Sequence, residues 1–148
     1  MKKILIALFA IVAISTAANA QNNAIGARLG AGTAYGAEIS YQGRISDFNR
    51  FEADLGMNTS SAQATFFSLA GIYQWHWFIQ NGFGAYIGPG AQAVIVADNF
   101  GIGVGGQFGV DYQFDAPIQL SLDIRPMYKL FGNTQFYYSA ALGVRYTF

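Results

Sequence analysis

From Gln135 to Phe148 every second residue is apolar. Phe136, Tyr138, Ala140, Leu142, Val144, Tyr146 and Phe148 alternate with Gln135, Tyr137, Ser139, Ala141, Gly143, Arg145 and Thr147. Such a period admits a strand with one oily face and one polar or small face, and it excludes a helix, whose apolar positions recur every three to four residues. Seven earlier stretches alternate in the same way: Ile25 to Gly32, Gly36 to Gln42, Phe51 to Asn58, Phe67 to Trp77, Phe83 to Ala97, Ile102 to Tyr112 and Ile118 to Leu130. Turn residues separate them, namely Thr33-Ala34, Ser46 with Asp47 and Asn49, Thr59 to Ala64, Asn81-Gly82, Asp98-Asn99, Asp115-Ala116-Pro117 and Gly132-Asn133. Asn-Gly between two alternating runs is a strong hairpin signal. The chain therefore reads as eight antiparallel strands in one all-β domain.

Before the first strand, Met1, Lys2 and Lys3 precede an apolar run from Ile4 to Ile14, and Ala18-Asn19-Ala20 follows. A charged head, a short apolar run and small residues at a cleavage site describe an export signal over residues 1–20, with the mature chain, residues 21–148, beginning at Gln21. The run is too short to cross a bilayer as a helical anchor. The absence of cysteine excludes disulfides, thiol catalysis, thiolate metal sites and lipid attachment at a lipobox.

Removing 20 of 148 residues leaves 128, or sixteen for each strand with its turn. Without Lys2 and Lys3 the eight basic residues fall to six, against eight acidic ones, so there is no electrostatic case for nucleic acid. Only 11% of the chain is charged while 53% is hydrophobic, and a soluble domain would carry about a quarter charged residues. No run of ~20 apolar residues could span a membrane as a helix. Apolar residues interleaved with polar ones suit a transmembrane barrel of eight up-and-down strands, whose membrane segments need ~9 to 11 residues each.

Alternation alone does not separate outside from inside. A soluble barrel with a greasy interior, acting as a periplasmic binding protein, has the same period. Two features favour apolar side chains facing lipid. The polar faces hold Gly, Ala, Ser and Gln with few charges, which suits a narrow lumen better than a water-facing surface. Aromatics also collect at strand ends, where their amphipathic rings favour the membrane interface. With the N-terminus on the periplasmic side, Tyr41, Trp75, Trp77, Tyr112 and Tyr146 fall at the inner rim, and Tyr128 and Tyr138 at the outer rim.

On this assignment Arg28, Arg125, Lys129 and Arg145 point into the lumen with Glu38, Glu52, Asp54, Asp111 and Asp123. The near balance of charge is what burial requires. Hairpin registers set Arg28 opposite Glu38 and put Arg145 level with Asp111 and Ser121, with Asp123 one step away, so Arg145 is expected among these carboxylates. The set is either an ion path or a packed polar core, and packing is the expectation because eight strands leave an interior only wide enough for side chains. Inward Gly84, Gly88, Gly90, Gly103, Gly105 and Gly109 would leave room for long Arg and Lys chains, or a small cavity beside the fifth and sixth strands. Pro89 and Pro126 each remove a ladder donor, so a bulge or kink is expected at both.

His76, the only histidine, is read as a lumen residue near the inner rim. Acyl chemistry would need a seryl nucleophile and an acidic partner beside it, and no His-x-Ser pattern is present. One histidine with scattered carboxylates has no metal-ligand spacing. Gly101 to Gly109 is not a dinucleotide loop, since its glycines fall at strand period and no helix follows. No cofactor is expected.

The leader, the eight alternating stretches and the ending Gly143-Val144-Arg145-Tyr146-Thr147-Phe148 together resemble the small eight-stranded bacterial outer-membrane barrels of the OmpA/OmpX/opacity type. The resemblance implies location in the outer membrane, with outer-membrane lipids and the export and barrel-assembly machinery as partners. It also implies that Val144, Tyr146 and Phe148 form the C-terminal assembly signal. Members of this type are structural envelope proteins, adhesins or defence factors, and a few are lipid enzymes. The short outer turns depart from the adhesin pattern, so a non-catalytic, monomeric structural protein is expected, with a narrow pore as the alternative and a lipid-modifying enzyme behind it.

Overall fold

The structure is a computed structural model describing residues 23–131 and 135–148. Eight strands form in chain order: β1 (Asn23–Gly32), β2 (Ala34–Arg44), β3 (Asn49–Ser60), β4 (Thr65–Gln80), β5 (Phe83–Val96), β6 (Asn99–Gln113), β7 (Ile118–Lys129) and β8 (Phe136–Thr147). Each pairs antiparallel with its neighbours, and β1 closes on β8, giving an up-and-down barrel without a free edge. At the seam the Asn23 amide donates to the Phe148 carbonyl at 3.1 Å and the Phe148 amide to the Asn23 carbonyl at 2.9 Å. The leader and the turn at Gly132-Asn133 lie outside the described residues.

The two faces separate cleanly along each strand. Leu122 is 57% exposed between Ser121 at 2% and Asp123 at 1%. The outer wall carries such residues as Leu29, Ile39, Leu69, Ile87, Val110 and Leu142, all exposed. A wall of this area in water would be a severe aggregation liability, whereas hydrocarbon solvates it. Trp75, Trp77, Tyr112 and Tyr146 stand toward one end of this wall and Tyr128 and Tyr138 toward the other. Tyr41 also faces outward, against the Phe51 ring. Val144 and Tyr146 belong to the exposed face of β8.

At Asn81-Gly82 both residues have positive φ, 50° and 87°, the conformation that lets a two-residue turn follow the strand twist. The described loops at the opposite end are also short, one to four residues long, with Thr33, residues 61–64 and residues 97–98 joining their strands. Among the described residues little chain protrudes from either rim.

Neither proline bulges its strand. Pro89 is exposed on the outer face and stays paired with Gly106, while on its β4 side the pairing lapses between Ile72–Gly90 and Trp75–Ile87. Pro126 likewise keeps Tyr138 on β8, and its β6 pairing lapses between Gly105–Met127 and Phe108–Ile124. A residue's ladder groups serve one neighbour at a time, so a missing N–H interrupts one side and leaves the register intact. The register instead shifts near the rim, between Phe78 and Gln80.

Candidate functional site

Inward-pointing side chains fill the middle of the barrel. Four guanidiniums, Arg28, Arg50, Arg125 and Arg145, are buried with the carboxylates of Glu38, Glu52, Asp54, Asp111 and Asp123. Charges taken out of water at this density are tolerable only when each is paired and hydrogen-bonded.

Glu52, 1% exposed on β3, is the centre. It accepts from Gln42 Nε2 at 2.6 Å, Gln74 Nε2 at 3.2 Å, Gln107 Nε2 at 3.0 Å, Arg125 Nη2 at 3.2 Å and Arg145 Nη2 at 3.0 Å. One carboxylate thereby ties β3 to β2, β4, β6, β7 and β8. Arg125 also binds Asp54 closely and reaches Glu38 at 3.4 Å. Arg28 spans from Glu38, at 2.6 Å, to Asp123, which it binds through Nε and Nη2 and which also accepts from the Tyr86 hydroxyl at 3.3 Å.

Arg145 departs from the expected position. It donates to Ser40 Oγ at 2.8 Å, Ser121 Oγ at 2.7 Å and Glu52, and not to Asp111 or Asp123. The β7–β8 register also differs from the expected one, setting Arg145 opposite Gln119 while Ser121 pairs with Gly143 and Asp123 with Ala141, and from there its long side chain reaches back to Ser121 and across the lumen to β2 and β3. Asp111 is held instead by Arg50, with Nη1 2.7 Å from Oδ2, and by His76, whose Nε2 lies 3.0 Å from Oδ1. Lys129 must also be corrected. Its side chain follows the inward parity of β7, yet it sits on the last residue of that strand and is exposed in the mouth of the barrel. Period assigns a face but not a height.

Arg50 and the glutamines Gln42, Gln74 and Gln107 are network members that the reading of charges alone omitted. Arg50 shares the parity of Glu52 and Asp54, and that signal was available had β3 been started at Asn49. Its guanidinium donates to Gln74 Oε1 and lies over the Tyr86 ring, 4.5 Å from the centroid.

The inward glycines are occupied by neighbours. A Cβ at Gly109 would meet Tyr86 and Asp123, at Gly84 His76 and Asp111, at Gly103 the Tyr137 hydroxyl, and at Gly90 Ile72. They make room for aromatic rings, His76 and Ile72 more than for long basic chains. Among the described residues, two cavities open at the two ends. An outer vestibule of about 330 Å³ has Arg28, Glu38, Phe66, Gln92, Val94 and Lys129 in its lining, and an inner one of about 510 Å³ includes Arg50, His76, Asp111 and Gln119. The two share no lining residue, and the Glu52 network lies between them.

No family model matches the sequence, and no curated protein does. Solved structures match over 88% of the chain. The crystal structure of Neisserial surface protein A is similar with a TM-score of 0.70 at 20% identity, covering all of that chain. The N-terminal β-barrel domain of Pseudomonas aeruginosa OprF is similar at 0.60 and 21% identity, also covering all of that chain. A de novo designed transmembrane β-barrel is similar at 0.57 and 13% identity over 98% of its chain. At these identities the likeness is one of fold: this chain has the eight-stranded architecture of transmembrane barrels.

Proposed function

We propose that the protein is a non-catalytic integral outer-membrane barrel with a structural role in the envelope, closed to ions. The observation that carries this reading is the lumen itself, where Glu52, Arg125 and Arg145 are nearly fully buried and bonded to one another across the barrel. A core of paired charges in so narrow an interior supports a closed barrel. Outer-membrane lipids are the natural partners of the apolar wall, and the short loops support a monomer without a large recognition surface. The leader would direct export, and the assembly machinery would read Val144, Tyr146 and Phe148 at the closing strand.

His76 supports the absence of catalysis. Its ring is fixed by Asp111 and by the edge of Phe78, with centroids 4.7 Å apart, and among the described residues no seryl hydroxyl is bonded to it. Ser40 and Ser121 are both taken by Arg145. Among the described residues no group of His, Asp and Glu has metal-site geometry.

The experiment is single-channel recording in planar bilayers on the refolded barrel, together with fractionation and heat-dependent gel mobility. The expected result is an outer-membrane protein whose mobility changes on boiling and which passes almost no current, because eight strands leave no open lumen. A steady, ion-selective current would replace this reading with the pore.

A further inference from the structure

We infer that the outer vestibule is a binding site for a small primary amine with an apolar body, an alkyl- or arylalkylammonium ion, seated on Glu38. The buried charges of the lumen do not cancel. With Arg50 matched to Asp111, Arg28, Arg125 and Arg145 face Glu38, Glu52, Asp54 and Asp123, three guanidiniums for four carboxylates among the described residues. Almost every oxygen of those four carboxylates is occupied or sealed. Both oxygens of Glu52 and of Asp123 accept hydrogen bonds, Asp54 Oδ2 is bound by Arg125, and Asp54 Oδ1 is shut away from solvent. Glu38 Oε2 accepts from Arg28 and Arg125. Glu38 Oε1 has no hydrogen-bond partner among the described residues and is not sealed by packing, although its side chain is only 7% exposed and lines the outer vestibule. The unmatched negative charge of this set therefore reaches solvent at one atom, on the floor of that vestibule.

A largely desolvated carboxylate oxygen without a partner attracts a cationic donor, and the walls specify what else that cation carries. Toward the mouth the inward face of β5 changes from Gln92 to Val94 and Val96, and that of β4 from Ser68 to Phe66. Half-buried apolar side chains at an open mouth add nothing to a polar plug, but they match an apolar body on the ligand. The cavity, about 330 Å³, has room for one ring or a short chain. The rival occupant is a hydrophobic anion held by Lys129, which lines the same cavity and makes no ion pair among the described residues. Burial decides between them. Lys129 is exposed at the rim, where water screens its charge, whereas Glu38 acts from a dry floor in which the same Coulomb attraction is stronger.

The test is an NMR titration of the full barrel in detergent micelles with phenethylamine at neutral pH, following the Gln92 side-chain amide and the Val94 and Val96 methyls, with the Gln119 amide of the inner vestibule as the internal control. Saturable shifts at Gln92, Val94 and Val96, and none at Gln119, are expected. Phenethyl alcohol, which keeps the shape without the charge, and methylammonium, which keeps the charge without the apolar body, should each bind about tenfold or more weaker. Glu38→Gln should abolish the preference for the amine over the alcohol. Lys129→Gln removes a like charge from the mouth and should tighten the amine at low salt. Absence of saturable shifts would mean that a proton or solvent meets the excess charge, and it would overturn the proposal. So would equal affinity for phenethyl alcohol, or tighter binding of phenylpropionate, which would make Lys129 the anchor of an anion site. The ligand comparisons use the unaltered protein, so they decide the question even if the Glu38 variant does not fold. Failure here leaves the closed-barrel reading untouched, because the current measurement does not depend on this cavity.

Discussion

Glu52→Leu should destabilise the barrel by about 3 to 5 kcal/mol, the range for removing one partner of a buried ion pair. The effect is large because the loss is not shared evenly. Arg125 retains Glu38 and Asp54, but Glu52 is the sole carboxylate that Arg145 contacts among the described residues. Arg145 would remain 1% exposed with only Ser40 and Ser121 to accept from it. Urea unfolding in lipid vesicles, followed by tryptophan fluorescence, measures the change. The double variant Glu52→Leu/Arg145→Met separates pairing from packing. Replacing both members of a buried pair with apolar groups is often neutral or favourable, so the double variant should recover most of the lost stability. If the single variant alone is as stable as the parent, Glu52 is not the centre of the core.

Leu122→Arg should cost about 2 to 4 kcal/mol in a bilayer, the depth-dependent penalty for a cation on the lipid face near the midplane. Leu122 lies mid-strand, paired with Val110 on one side and Leu142 on the other, all three exposed on the outer wall. Ser121→Ala, one residue away and facing inward, removes one hydroxyl that accepts from Arg145 and should cost about 1 kcal/mol. Folding yield and urea midpoints in vesicles distinguish the two. Equal penalties would mean that the outer wall does not meet lipid.

The strands were legible because a half-buried sheet stamps its period directly on the residues, and all eight occur where the alternation places them. Pairing between neighbours was legible in part, for β7 and β8 pair with Arg145 opposite Gln119 and not Ser121. Arg28 does lie opposite Glu38, since one tight hairpin leaves little freedom in register. Contacts across the lumen were not legible. Arg145 has the expected face but not the expected level, since it stands opposite Gln119, and its guanidinium chooses among a carboxylate and hydroxyls on several strands, a choice made by side-chain length and barrel diameter. Lys129 illustrates the complementary limit, because its parity matches Arg125 while its position at the end of β7 places it in the mouth. Arg50 was hidden by the adjacent turn residues Ser46 to Asn49, which drew the start of β3 too late.

The span of the Glu52 network has a consequence for how the chain reaches its native state. Glu52 and Arg145 are 93 positions apart, Arg28 and Asp123 are 95 apart, and Arg125 and Asp54 are 71 apart. No hairpin can satisfy these partners, and a growing open sheet keeps them in water. Only when β8 meets β1 do the charges find one another and shed their hydration. Closing the seam, drying the interior and pairing the charges thus coincide in one late, cooperative step, and contacts of such long range make that step slow.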